Sequence, residues 1–402
     1  MTEEIKKYIE DKWDECIKEN REDNGTLIGM PYPYTVPAVG HFDEMYYWDT
    51  YFTNKGLECS GRFAQAKNNT DNMLYMVNRY GYMPNGNRTY YLKSSQPPFL
   101  SIMVRDVYEH YKDKLWLKSA YDGLNSEYGF WMGRRLSPMG LNVYGGEMSP
   151  SGLEFMAGQY EKRTGLKPQG DIHDFGYNSL LTCESGWDMT PRWGTEGYNY
   201  APVDLNSLMY MLEENMCYFA TELKNGHENE WRERAENRRG LMLQHMDNGS
   251  GLLFDYNYKT DSLSSVFSAA SYYPLFAGLA DESHAQAAAE ALPKLEAEYG
   301  ILTCEKQDND LTYQWGYPNG WACLQYIVYM GLDRYGYKKE AKNVAEKYLT
   351  LAEKVFKETN HLWEKYNVVE GSTNIKSGSK TMPPMMGWSA GVYLAAAKYL
   401  GK

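Results

Sequence analysis

A chain of 402 residues that is 43% hydrophobic and 23% charged can bury a sizeable core. Its formal net charge of −12 leaves no basic face for a phosphate backbone, so nucleic acid is excluded as a partner. No apolar run approaches the 18 or so residues that a membrane span needs, and the acidic, amphipathic opening MTEEIKKYIEDKWDEC reads as neither a signal peptide nor an anchor; a cytoplasmic location is expected.

In chain order, apolar residues at helical spacing predict helices over about 4–20, 45–58, 61–79, 98–113, 115–134, 204–224, 226–246, 265–279, 283–298, 319–334, 337–357 and 386–400. Twelve helices pair into six hairpins, the content of an all-α (α/α)6 barrel in which inner helices and their loops face a central pocket. Between 135 and 203 the chain is rich in Gly, Pro, Ser and aromatics, and is expected to form long active-site loops. The run DNGSGLLFDYNYKTD at 247–261 predicts a turn and a small β-hairpin at the rim. No linker or composition shift divides the sequence, so one domain spanning 1–402 is expected. Six scattered cysteines form no CxxC or Cys/His pattern, so neither a metal site nor a cofactor is implied.

The 37 tyrosines and 11 tryptophans are an aromatic surplus with polar tips, suited to stacking on hydroxylated ligands. Four segments join indoles to amides and carboxyls beside predicted helix starts: VGHFDEMYYWDTYF (39–52), MPNGNRTYYLKSSQPPFL (83–100), ESGWDMTPRW (184–193) and QWGYPNGWACLQ (314–325). A sugar is the partner such groups fit, because an indole covers its C–H face while amides and carboxylates bind its hydroxyls. Within them Asp188, between Trp187 and Met189, has the apolar setting that raises a carboxyl pKa and makes a general acid.

These segments resemble the trehalases and their relatives among the inverting α-glucosidases with (α/α)6 barrels. The similarity runs in order from about residue 39 to 394, with PVDLNSLMY (202–210) and LWEKYN (362–367) adding to it. It implies an inverting glycoside hydrolase acting on a small α-linked di- or oligosaccharide, with Asp188 as general acid. It also implies a pocket lined by Phe42, Trp48, Asp49, Asn85, Arg88, Gln96, Glu184, Trp187, Arg192, Trp315, Trp321 and Trp388. An inverting enzyme needs a second carboxylate, on the far side of the sugar ring. The position that the resemblance gives for this base falls near Ser379, and no Asp or Glu follows Glu370. Glu370, in the same loop, is the first candidate for a displaced base, and Glu364 the second, although Glu364 also matches a family position that is not the base and reads first as a hydrogen-bond acceptor of the inner wall.

Two alternatives stay open at this point: a phosphorylase whose phosphate binds near Ser379 and Lys380, and a sugar-binding protein without turnover. Where the family has arginines that grip trehalose, this chain has His41 and Ser94, which argues against strict trehalose as the substrate. It also has Gly316 where trehalases carry an Asp.

Overall fold

A computed structural model describes residues 2–375, 382–384 and 386–402. Fourteen α-helices lie among them: α1 Thr2–Cys16, α2 Tyr47–Cys59, α3 Phe63–Tyr80, α4 Leu100–Tyr111, α5 Lys114–Arg134, α6 Pro150–Thr164, α7 Ile172–Glu184, α8 Val203–Leu223, α9 Glu228–Met246, α10 Tyr273–Ala277, α11 Glu282–Ala291, α12 Ala322–Arg334, α13 Lys338–Thr359 and α14 Gly387–Tyr399.

The architecture is the expected (α/α)6 barrel. Helices α2, α4, α8, α10, α12 and α14 pack in that order into a ring, which closes where α14 meets α2. Their sequences say why they are inside. Every residue of α12 from Ala322 to Tyr329 is buried, as a helix apolar on all sides requires. The outer α13 instead buries one stripe, including Ala341, Val344, Tyr348, Ala352 and Val355, and turns its lysines and glutamates to solvent. Ring closure depends on missing side chains: a Cβ on Gly391 would lie 2.0 Å from the Phe52 carbonyl oxygen, and one on Gly56 would lie 2.6 Å from the Gly391 Cα.

Three expected elements need correction. The stretch 135–203 is not one long loop, because it contains α6 and α7, which pack on each other. Ser149 caps α6 with a 3.2 Å bond from Gly152 N, Pro150 opens it, and Gly165 ends it at φ +81°. The DNGSG turn is closed as expected by an antiparallel bridge between Asp247 and Leu253, but the rim strands run past 261: Tyr256–Asn257 pairs with Ser262–Leu263, and Tyr200–Ala201 adds a third strand. The helix expected over 265–279 shrinks to a 3-10 turn, Ala269–Tyr272, followed by the short α10.

Most of the expected cavity residues gather at one end of the barrel. Asp49 stands in the first turn of α2, Gln96 precedes α4, Trp321 precedes α12 and Trp388 opens α14. A short strand pair, Asn319–Gly320 with Tyr366–Asn367, brings Glu364 to the same end.

Candidate active site

A cavity of about 280 Å³ opens there, lined by Phe42, Asp49, Asn85, Gln96, Asp188, Trp315, Trp321 and Trp388 among the residues expected from sequence. Its walls also include Tyr46, Tyr91, Cys183, Gly186, Gln314 and Glu364.

The tryptophans form one layered wall. Trp315 and Trp321 stack with ring centres 3.8 Å apart and planes 5° apart, and Trp388 meets Trp321 edge-on at 5.5 Å. Trp48 and Trp187 do not line the cavity. Each stands 5.4 Å behind Trp315 and fixes its tilt. The wall therefore presents rigid apolar faces, and no rotamer need be frozen when a sugar C–H face arrives.

Asp188 sits on a turn that only an unusual backbone can make. Gly186 has φ +74°, and a Cβ there would lie 2.6 Å from Trp48 Cε2. Met189 adopts φ +60° without being glycine, held by burial and by Trp315 N donating to its carbonyl at 3.2 Å. Asp188 is thus clamped between two left-handed residues. Burial raises its pKa above the ordinary aspartate value, with the Glu364 charge adding to the rise and the Arg163 guanidinium working against it.

Asp49 is pushed further, to about 8, first by burial and then by the charges of Glu364 and Asp188. Asn85 donates to the Ser95 carbonyl at 3.2 Å, and Gln96 accepts from Trp48 N at 3.3 Å, so both amides are oriented by backbone. Burial lifts the Cys183 thiol well above its usual range, which makes it an inert wall group.

Glu364 and Asp188, together with Phe42 and Gln314, border two spaces at once. Beyond the inner cavity lies an outer compartment of about 520 Å³ that shares these four residues. Glu364 accepts a hydrogen bond from Lys365, whose ammonium lies 4.9 Å over the Trp321 ring. Trp388 Nε1 donates to the Glu364 carbonyl at 2.9 Å and ties this segment to α14.

Four other expected site residues do not line the cavity. Glu370 is exposed on a turn, where its carboxylate accepts from Ser372 and Asn374, each at 3.2 Å. Arg192 is wholly buried between Trp187 and Trp193, forked onto Asp204 (2.8 and 3.0 Å) and Asp255 (2.7 and 2.9 Å). Glu184 is buried too: it accepts from Arg135 at 2.8 Å and from Ser95 N at 2.7 Å, bracing the SQPP segment behind the wall. Arg88 pairs with Glu44 at 3.0 Å on the rim. Ser379 and Lys380 lie outside the described residues. Among the described residues, no cluster of His, Cys, Asp and Glu could hold a metal ion, and no helix is long and apolar enough to cross a membrane.

An indole-walled cavity with converging carboxyls, at the loop end of an (α/α)6 barrel, defines a glycoside hydrolase. The trehalase family model matches residues 1–401, and the chain belongs to that family. Periplasmic trehalase of Xanthomonas campestris pv. campestris (strain B100) is 33% identical over 429 residues, covering 97% of this chain and 72% of the relative. Periplasmic trehalase of Pseudomonas aeruginosa PAO1 is 31% identical over 428 residues, covering 99% and 77%. In solved structures, neutral trehalase Nth1 from Saccharomyces cerevisiae superimposes with a TM-score of 0.76 at 30% identity, covering 92% of this chain and 74% of that one.

These relatives correct the expected cytoplasmic location, since both bacterial enzymes are named periplasmic. The expectation rested on how the opening segment and the apolar runs read, and neither fixes a compartment.

Proposed function

We propose that the chain hydrolyses a small α-linked disaccharide with inversion, Asp188 acting as general acid and Glu364 as general base. The observation that carries this is the shared border: Asp188 and Glu364 line both the inner cavity and the outer compartment. A glycosidic bond lies at the junction of the sugar that is held and the half that leaves, so carboxyls at that junction reach it. Asp49 lines only the inner cavity, which favours a sugar-binding role.

The division of labour follows from surroundings. Asp188 has the raised pKa that lets a carboxylic acid keep its proton for the glycosidic oxygen. Glu364, already an acceptor for Lys365, is placed to take a proton from water as that water attacks the anomeric carbon. The C–O bond breaks as the new one forms, the leaving oxygen takes the Asp188 proton, and the water proton passes to Glu364. Asp49, protonated at neutral pH, donates to a sugar hydroxyl, and Trp315, Trp321 and Trp388 cover the ring's apolar face. The names of the relatives as trehalases support an α-glucoside as the substrate class.

Proton NMR of the first turnovers on a panel of α-linked glucose disaccharides tests this reading. The glycone should appear first as its β anomer, so that α,α-trehalose yields α- and β-glucose in equal amounts, and Asp188→Asn should lower kcat by about a thousandfold, within the usual range for a general acid. A glycone released first as its α anomer, so that α,α-trehalose yields α-glucose alone, would overturn it.

A further inference from the structure

We propose that the outer compartment is an anion-binding subsite, and that the preferred substrate carries a phosphate or carboxylate on the half that leaves. This rests on the acid–base reading above only for which half departs.

Four cationic or cation-capable side chains converge on this compartment from three separate stretches of chain. Lys162 and Arg163 come from the last turn of α6, Lys365 from the strand segment that carries Glu364, and His41 from the loop before α2. Among the described residues, no carboxylate other than Asp188 and Glu364 lines it. Such a concentration stands out in a chain with a net charge of −12.

Arg163 is the key group. It is half-buried, and its one side-chain hydrogen bond among the described residues goes to the neutral amide of Gln314. Among the described residues it forms no ion pair within 4 Å, the Asp188 charge reaching it only at longer range, and residues 376–381 and 385 contain no Asp or Glu that could pair with it. Buried or partly buried guanidinium groups are ordinarily paired, as Arg135, Arg192 and Arg238 are here with Glu184, Asp204 and Glu213. Cations in a last helical turn offset the carbonyl end of the helix dipole, which accounts for Lys162 and Arg163 being on α6. It does not account for Lys365 and His41 meeting them at one cavity, nor for an unpaired fork beside the acid.

The chemistry fits an anion in two forms. A guanidinium grips either a phosphate or a carboxylate through parallel N–H bonds, with neighbouring ammonium groups adding point charge. A neutral disaccharide would leave Arg163 with only its amide partner.

Hydrolysis of trehalose, trehalose 6-phosphate and α-glucosylglycerate is compared in the intact chain at low and high salt, in wild type and Arg163→Gln. The proposal expects kcat/KM for one of the anionic substrates to exceed that for trehalose by about tenfold or more at low salt, the lower end of what a hydrogen bond to a charged group gives. Added salt should shrink that advantage, and Arg163→Gln should reduce the ratio of anionic to neutral rates about tenfold. A phosphate preference marks a sugar phosphate, and a glycerate preference an acidic aglycone. Trehalose favoured over both, a ratio unmoved in Arg163→Gln, or glucose 1-phosphate released when inorganic phosphate is added would each overturn the proposal.

If no substrate is cleaved, the acid–base reading fails and binding decides the question. Tryptophan fluorescence should then respond to glucose 6-phosphate or glycerate at concentrations where glucose has no effect, and the response should vanish in Arg163→Gln. Equal responses to glucose and both anions would end the proposal.

Discussion

Replacing Asp49 by Asn removes one titrating group from the cavity and should flatten the loss of stability with rising pH. Asp49 is 8% exposed, and its pKa rises from an ordinary 3.8 to about 8, chiefly by burial. A carboxyl with a raised folded pKa keeps its proton in the fold where the unfolded chain has released it. Its contribution is therefore intact below pH 3.8 and lost as pH climbs through about 8. Within that window, each pH unit removes about 1.4 kcal/mol. Between pH 5.5 and 7.5 the group thus accounts for about 3 kcal/mol. At about 2.1 cal/mol/K per residue, 402 residues give an unfolding entropy of roughly 0.8 kcal/mol/K, so the difference is about 3 °C in Tm. Asparagine has the shape of the protonated acid and does not titrate. Differential scanning fluorimetry of both proteins from pH 5.5 to 7.5 should show Asp49→Asn gaining about 3 °C on wild type across the range. Parallel curves would mean that Asp49 is ionised in the native state, and would refute the reasoning.

Two other perturbations separate structural from chemical roles. Arg192→Met should lower Tm by about 4–6 °C in thermal melting, because it strands Asp204 and Asp255 as buried charges at a cost of about 3–5 kcal/mol. Gly186→Ala should reduce kcat/KM about a hundredfold in steady-state kinetics, since the new methyl group must push Trp48 or the turn that holds Asp188.

The barrel was legible in sequence because its helices carry the signal they need. Apolar residues recur at helical spacing in α12 and α13 and locate both helices, while which of them faces the ring shows only in the packing. α6 was missed for a physical reason: it buries only Ala157, Tyr160 and Thr164, exposes Phe155, and carries Gly152 and Gly158, so its periodicity is faint. The Ser149–Pro150 start and the Gly165 stop were the signals that could have found it.

Within the site, the residues that local motifs single out and that line the cavity include Phe42, Asp49, Asn85, Gln96, Asp188, Trp315, Trp321 and Trp388. Arg192 could not be placed. Its partners are 12 and 63 residues away, and the same ESGWDMTPRW motif reads equally as pocket or as core. Glu364 and Glu370 are only six residues apart. The pairing of Tyr366–Asn367 with Asn319–Gly320 fixes the first beside Trp321, while the following turn carries the second to the surface. Spacing along the chain contains neither fact.

The side-by-side kcat of Glu364→Gln and Glu370→Gln on one α-linked disaccharide tests the central claim most directly. The account predicts a loss of about a thousandfold for Glu364→Gln and a rate within twofold of wild type for Glu370→Gln. A Glu364→Gln enzyme that turns over normally, or a Glu370→Gln enzyme that does not, would contradict it.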